Sequence, residues 1–306
     1  MNNDVQCSPA AAVEMFATEL VREPAVSLYE RPATSQTSKS ALAEHWPEYL
    51  IEAACLGVFM MSACFFTVLL AHPDSTLRSS VPSDLLRRFL GGLAMGLTAI
   101  AIIYSPLGRR SGAHMNPAVT LTFFRLGKVR AWDALFYGAS QFVGGIAGTA
   151  VAFAMLRSML AHRQVNFAVT MPRSSQLAAF VAEAVISFLL MTAVLNFSNR
   201  PALARYTGLA AGTLVMLFIT FESPISGMSM NPARSFASDV VAMQWGGIWI
   251  YFVAPVAGML TAAEVYVRTR GSRAVICAKL NHSGTARCIF RCGYMSTSQV
   301  ARAMGA

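Results

Sequence analysis

Charge is scarce in this chain: Asp, Glu, Lys and Arg make up 13% of its 306 residues, about half the share usual in a soluble domain. With so little polar surface, and a mean hydropathy of +0.50, the sequence reads as an integral membrane protein. Acidic residues are the scarcer kind, 15 against 24 basic ones, for a net charge of +9. The basic excess falls between apolar runs and near the C-terminus rather than on one face, so it marks membrane topology and no nucleic-acid partner is expected. The six cysteines are scattered, with Cys55 and Cys64 inside an apolar run, which argues against an extracellular disulfide framework. The first residues include Asp4 and Glu14 and no early apolar core, so no signal peptide is expected. Nucleophile–base sets, phosphate loops and cofactor motifs are also missing, so neither an enzyme nor a cofactor is expected.

What the chain has instead is six apolar stretches, each read as a helix crossing hydrocarbon about 30 Å thick. They run approximately Tyr49–Leu70, Phe89–Tyr104, Ala134–Leu156, Leu177–Phe197, Tyr206–Phe221 and Trp245–Val267. The inner segments, if the N-terminus is inside, hold Arg109, Arg110, Arg125, Lys128, Arg130, Arg200, Arg205, Arg268, Arg270 and Arg273. The bias predicts both termini in the cytoplasm of a multi-pass plasma (cytoplasmic) membrane protein. Residues 1–46 mix acidic, Ser, Thr, Pro and Ala residues and read as a flexible cytoplasmic arm. Residues 47–268 form the membrane domain, and 269–306 a basic, Cys-containing cytoplasmic tail.

The sequence Ser111-Gly-Ala-His-Met-Asn-Pro-Ala-Val119 returns as Ser226-Gly-Met-Ser-Met-Asn-Pro-Ala-Arg234. Asn is a favoured helix N-cap, Pro is tolerated at the first helical position because its missing N–H would be unpaired there, and Ala propagates the helix. Asn116-Pro117-Ala118 and Asn231-Pro232-Ala233 are therefore two helix starts of one design, 115 positions apart (231 − 116). That interval holds three spans, an odd number, so the two starts enter from opposite faces and point at each other near the midplane. The second and fifth spans are short and run into these motifs, so each half reads as two spans, an inward-dipping loop ending in a half-helix, and a third span. The expected fold is an all-α membrane protein with six transmembrane helices plus two re-entrant half-helices, an inverted repeat over about 47–160 and 175–268. Irregular backbone at membrane depth is tolerated only where it is buried in protein or lines a watery cavity. Gly92-x-x-x-Gly96 and Gly208-x-x-x-Gly212 mirror one another ahead of the two motifs and fit a close helix crossing at Gly96 and Gly212.

From about Pro47 to Val267 the chain resembles the aquaporin, or major intrinsic protein, family, on the strength of the two Ser-Gly-x-x-Met-Asn-Pro-Ala segments. The resemblance implies a homotetramer in the lipid bilayer, with a pore in every subunit for water and small uncharged solutes. Two opposed helix N-termini would place partial positive charge at the centre. Asn116 and Asn231 could cap their helices through the side-chain oxygen while presenting N–H₂ to the lumen. A water accepting both donors would turn its hydrogens in opposite directions along the pore and interrupt a proton wire. A purely structural capping role is the alternative.

Arg234 is costly at membrane depth and therefore marks function. By resemblance it forms a constriction with one residue of the second span, one of the fifth, and a backbone carbonyl: Met95 (Gly96 as fallback), Ile219 and Met228. Water-selective members place an aromatic and a His where Met95 and Ile219 stand, so this wall is expected to admit a solute with apolar and hydroxyl faces as well as water. Ser235 and the Tyr251-Phe252 pair point the other way, and Asp239 leaves the subgroup mixed. Glu52 and Glu183 are too costly to leave unpaired in hydrocarbon and should accept hydrogen bonds from the inward loops, as the resemblance also implies; interfacial water near a helix end is the alternative. His114 is expected to pack in the first loop and donate a structural hydrogen bond, and Met115 and Met230 to pack.

In the tail, Cys277-x₄-His282-x₅-Cys288-x₃-Cys292 contains the residue types of a Cys₃His zinc site. The spacing matches no familiar pattern, so free thiols on a basic tail are the expectation and no metal is assigned. A secondary transporter, or a non-conducting structural protein on the same fold, are the alternatives to a passive channel. The transporter lacks a charged pathway beyond the two glutamates and Arg234.

Overall fold

The computed structural model describes residues 36–282 and 286–294. Residues 1–35, which make up most of the expected arm, and the tail residues 283–285 and 295–306 lie outside them. The described chain is helical, with no strand. Eight helices carry the architecture: α1 Ser38–Ala71, α2 Asp84–Tyr104, α3 Pro117–Arg125, α4 Ala131–Leu156, α5 Gln176–Ser198, α6 Thr207–Phe221, α7 Pro232–Ala242 and α8 Ile248–Arg270. Six of them are long and apolar enough to cross a membrane, α6 when taken with the 3₁₀ turn Ala204–Tyr206 that precedes it; α3 and α7 are the half-helices.

The packing has the symmetry of an inverted repeat. α1 packs on α4 as α5 packs on α8, and α2 crosses α6 between the halves. Each half-helix also leans on the last span of the other half, α7 on α4 and α3 on α8. The α2–α6 crossing is close because it lacks side chains: a Cβ on Gly96 would lie 2.5 Å from the Gly212 carbonyl oxygen, and one on Gly212 2.6 Å from that of Gly96. Both sit far inside van der Waals contact, so the paired glycines set this distance. Leu50, Val58, Leu135, Val143, Leu177 and Val181 are exposed on the outer faces of the spans, where hydrocarbon would replace water.

The first three spans begin three or more residues earlier than hydropathy alone indicates, whereas the last begins three residues later, at Ile248. α1 differs most, starting at Ser38 and running through Pro47, so the last nine residues of the expected 1–46 arm are helix. Tertiary contacts hold this polar first stretch. His45 Nδ1 and the Tyr49 hydroxyl both bond the buried carboxylate of Asp133 on α4, at 2.7 and 2.6 Å. Arg110 Nε donates to Glu48 at 2.9 Å. Polar pairs of this kind are invisible to a hydropathy window.

Candidate functional site

The site is built twice, on the same plan. After α2 a turn at Pro106–Ser111 ends at Gly112 (φ 102°), and after α6 a turn at Ser223–Ser226 ends at Gly227 (φ 86°). Ala113, Met115, Met228 and Met230 follow with φ between 50° and 56°, each a left-handed conformation costing on the order of 1–3 kcal/mol for a residue with a side chain. A buried carboxylate offsets that cost in each half. Glu52 accepts from Ser111 Oγ (2.7 Å), His114 N (3.1 Å), Met115 N (2.8 Å) and Gln141 Nε2 (3.0 Å). Glu183 accepts from Ser226 Oγ (2.8 Å), Ser229 N (2.6 Å) and Met230 N (2.7 Å). Both glutamates are fully buried, which excludes the interfacial-water alternative.

The asparagines then start the half-helices. Asn116 Oδ1 accepts from Ala118 N at 2.9 Å, and Asn231 Oδ1 from Ala233 N at 3.1 Å and Arg234 N at 3.2 Å, with Pro117 and Pro232 at the first helical position. The amide nitrogens reach across the pseudo-symmetry: Asn116 Nδ2 donates to the Met230 carbonyl and Asn231 Nδ2 to the Met115 carbonyl, both at 2.7 Å. The two helix N-termini therefore do meet. The expectation that each N–H₂ faces the lumen is corrected by half, since one of its two N–H groups is committed to the opposite motif. The left-handed φ of Met115 and Met230 belongs to the turn that presents those carbonyls, so the two methionines do more than pack.

Arg234 lies in the first turn of α7. Its Nη1 donates to the Ala168 carbonyl at 2.8 Å, and no carboxylate among the described residues forms an ion pair with it. The loop supplying that carbonyl runs through Asn166, Phe167 and Ala168, all at φ 46° to 53°. A reciprocal amide pair pins it to the end of α7, Asn166 Nδ2 to Gln244 Oε1 (2.9 Å) and Gln244 Nε2 to Asn166 Oδ1 (2.7 Å). Of the other expected constriction residues, Met228 is buried in the second re-entrant segment, Met95 is buried on α2 with its sulfur 3.8 Å from Ser62 Oγ, and Ile219 is half-buried on α6.

A sequence profile of the Major intrinsic protein family matches residues 34–266. The chain belongs to that family. Among curated relatives of this major intrinsic protein, Aquaporin NIP1-2 of Arabidopsis thaliana is 36% identical over 187 residues, covering 59% of this chain and 63% of the relative. Aquaporin NIP2-3 of Zea mays is 37% identical over 189 residues, covering 61% and 60%, and Nodulin-26 of Glycine max is 33% identical over 175 residues, covering 57% and 63%. The alignments thus span about three-fifths of the length of these relatives. Among solved structures, the aquaglyceroporin from Plasmodium falciparum superposes with a TM-score of 0.63 at 18% identity, covering 75% of this chain and 98% of that one; it shows the fold.

Several residues of this major intrinsic protein's site escape a sequence reading. Tyr137 donates its hydroxyl to the Ser111 carbonyl at 2.7 Å, and Tyr251 does the same to the Ser226 carbonyl. The two tyrosines are symmetry mates that hold the Ser-Gly turns from outside. Their signal was the matching of Tyr137 and Tyr251 in the third span of each half, masked by the aromatics around them. Gln141, one turn after Tyr137, binds Glu52, while the second half has Pro255 one turn after Tyr251. The His114 ring stacks with Phe123 and Phe290. Its Nε2 lies 2.8 Å from the Ala278 carbonyl and its Nδ1 3.0 Å from Thr120 Oγ1. A carbonyl only accepts, so the Nε2 carries the proton. Ala278 and Phe290 lie in the tail, which the sequence placed apart from the pore.

Proposed function

We propose that this protein is a passive channel that passes water and small uncharged solutes such as glycerol while excluding protons and ions. The observation that carries the reading is the crossed pair of Asn116 and Asn231 bonds, which fixes two helix N-termini head to head with one amide N–H left on each for a passing oxygen. The opposed dipoles disfavour a cation at that point, and two converging donors orient a water against proton hopping. Two of the plant relatives are named aquaporins, and the structural neighbour is an aquaglyceroporin, in line with this reading. The positive-inside bias supports cytoplasmic termini, a plasma-membrane location belongs to the same proposal, and membership of the family supports a homotetramer. Purified protein in proteoliposomes should accelerate osmotic shrinkage with a low activation energy and no ion gradient, without proton flux. Proton conductance comparable to the water signal would overturn it, and a requirement for an ion gradient would favour a coupled transporter.

The filter is assigned to Met95, Ile219, the Met228 carbonyl and Arg234. Met95 and Ile219 make its wall flexible and aliphatic, which favours a solute with apolar as well as hydroxyl faces. Ile219→His should therefore lower the ratio of glycerol to water permeability several-fold while water flow persists. The check is a paired light-scattering measurement on protein that inserts normally. An unchanged ratio would place the filter elsewhere.

A further inference from the structure

We propose that Cys277, His282, Cys288 and Cys292 bind one zinc ion as a Cys₃His site, and that the ion clasps the C-terminal segment onto the re-entrant loop that carries Asn116. The spacing of these residues fits no familiar pattern, but the fold brings their four ligand atoms within 4.8 Å of one another. Cys277 Sγ lies 3.6 Å from Cys288 Sγ, and Cys292 Sγ lies 3.0 Å from His282 Nε2. Tetrahedral zinc with bonds of about 2.3 Å to sulfur and 2.0–2.1 Å to nitrogen has ligand–ligand edges of roughly 3.5–3.8 Å. The sulfur–sulfur separation is such an edge and is far beyond the ~2.05 Å of a disulfide bond, while the shorter Cys292–His282 contact is a hydrogen-bond distance that would open by about 0.5 Å around an ion. Three thiols and an imidazole are also a soft donor set, suited to zinc and not to magnesium or calcium.

The surroundings match a metal site in two ways. Binding would release three protons and leave one zinc ion and three thiolates, a net charge of −1. The buried ammonium group of Lys279, two residues from Cys277, and Arg291, next to Cys292, lie on the chain beside the ligands. The His282 ring stacks on Tyr294 at 4.7 Å, and the Tyr294 hydroxyl is anchored on the Ser198 carbonyl at 2.7 Å, which fixes the ring that offers Nε2. The segment itself also calls for a cross-link. From 275 to 282 and 286 to 294 it has neither helix nor strand, yet Val275, Ala278, Leu280, Ile289 and Phe290 are buried. A short irregular segment with so small a core is the kind that a metal holds in place.

What the clasp holds is the underside of the first asparagine loop. Leu280 N donates to the Gly112 carbonyl (3.1 Å), Lys279 Nζ to the Arg109 carbonyl (2.8 Å), and Ala278 and Phe290 cover His114. Full-length protein purified without a metal column should contain about one zinc per chain by elemental mass spectrometry. Replacing it with Co²⁺ should give the absorption of a tetrahedral thiolate site. Cys277→Ser and Cys292→Ser should each weaken zinc binding at least ten-fold, while Cys7→Ser keeps it. In unaltered protein, Cys277, Cys288 and Cys292 should resist alkylation until a chelator is added, which tests the site even where a serine variant fails to fold. Metal at background after reduced protein is incubated with Zn²⁺, a Cys277–Cys288 disulfide in protein kept reduced, or full zinc retention in both serine variants would overturn the site. These outcomes are read on purified protein and are independent of what the pore passes.

Discussion

Arg234→Ala should turn a selective pore into a leaky one. The guanidinium is held by the Ala168 carbonyl and forms no ion pair with a carboxylate among the described residues, so on the proposed reading its charge acts on whatever passes. At an effective dielectric of about 20, a unit charge roughly 6 Å from a monovalent cation repels it by about 3 kcal/mol, on the order of 100-fold in occupancy. Removing it should raise cation permeability by up to that factor, with the two helix N-termini supplying the exclusion that remains. Solutes larger than water should also pass several-fold faster through the widened gap. Arg234→Lys keeps the charge and loses the forked donor, so it should leave cation exclusion nearly intact while relaxing solute selectivity. Conductance and solute-flux assays on reconstituted protein decide the matter. Unchanged permeability and selectivity in a folded Arg234→Ala protein would remove Arg234 from the constriction.

The second large effect is on folding. Glu183→Ala takes the acceptor from Ser226 Oγ, Ser229 N and Met230 N at once. Stranding buried donors costs about 1–3 kcal/mol each, so the loss over three donors is roughly 3–9 kcal/mol, comparable to the whole stability of many domains. The left-handed Met228 and Met230 would then lose the carboxylate that offsets their strain. The variant should fail to accumulate as monodisperse protein, or melt on the order of 10 °C lower. Glu183→Gln keeps one carbonyl oxygen and should fall between. An alanine variant that melts with the parent would show that the loop is held by other contacts.

How much of this was legible depends on how local the physics is. The half-helix starts could be read because capping chemistry is contained in three residues, Asn, Pro and Ala. Glu52 and Glu183 could be read because a carboxylate amid apolar neighbours demands partners. Gly96 and Gly212 could be paired because the repeat places them alike. Tyr137 and Tyr251 could not, since an aromatic that donates one hydroxyl looks like any aromatic in a span. The seat of Arg234 depends on Asn166 and Gln244, 78 positions apart, and on three left-handed residues with no glycine to announce them. The first turns of α1 were missed because His45, Tyr49 and Glu48 find partners only after α4 and the first re-entrant loop are in place. The Cys and His residues of the tail were seen, but their convergence depends on how Asn199, Lys128 and Gly112 receive the segment.

The crossed asparagine bonds also impose an order on biogenesis. Each glutamate ties a loop of its own half, so the first four donors on Glu52 can be satisfied once α4 has left the ribosome. The Met230 carbonyl that receives Asn116, and the α8 surface that receives α3, are synthesised more than a hundred residues after Asn116 and α3 themselves. Until then the first half-helix has its cap but not its counterpart, and a truncated chain exposes one positive helix end with nothing opposite it. Neither repeat is a pore in miniature. If the chain is the channel proposed above, its conduit exists only when the second half closes on the first, and a nascent chain has no open water path to leak through while it waits.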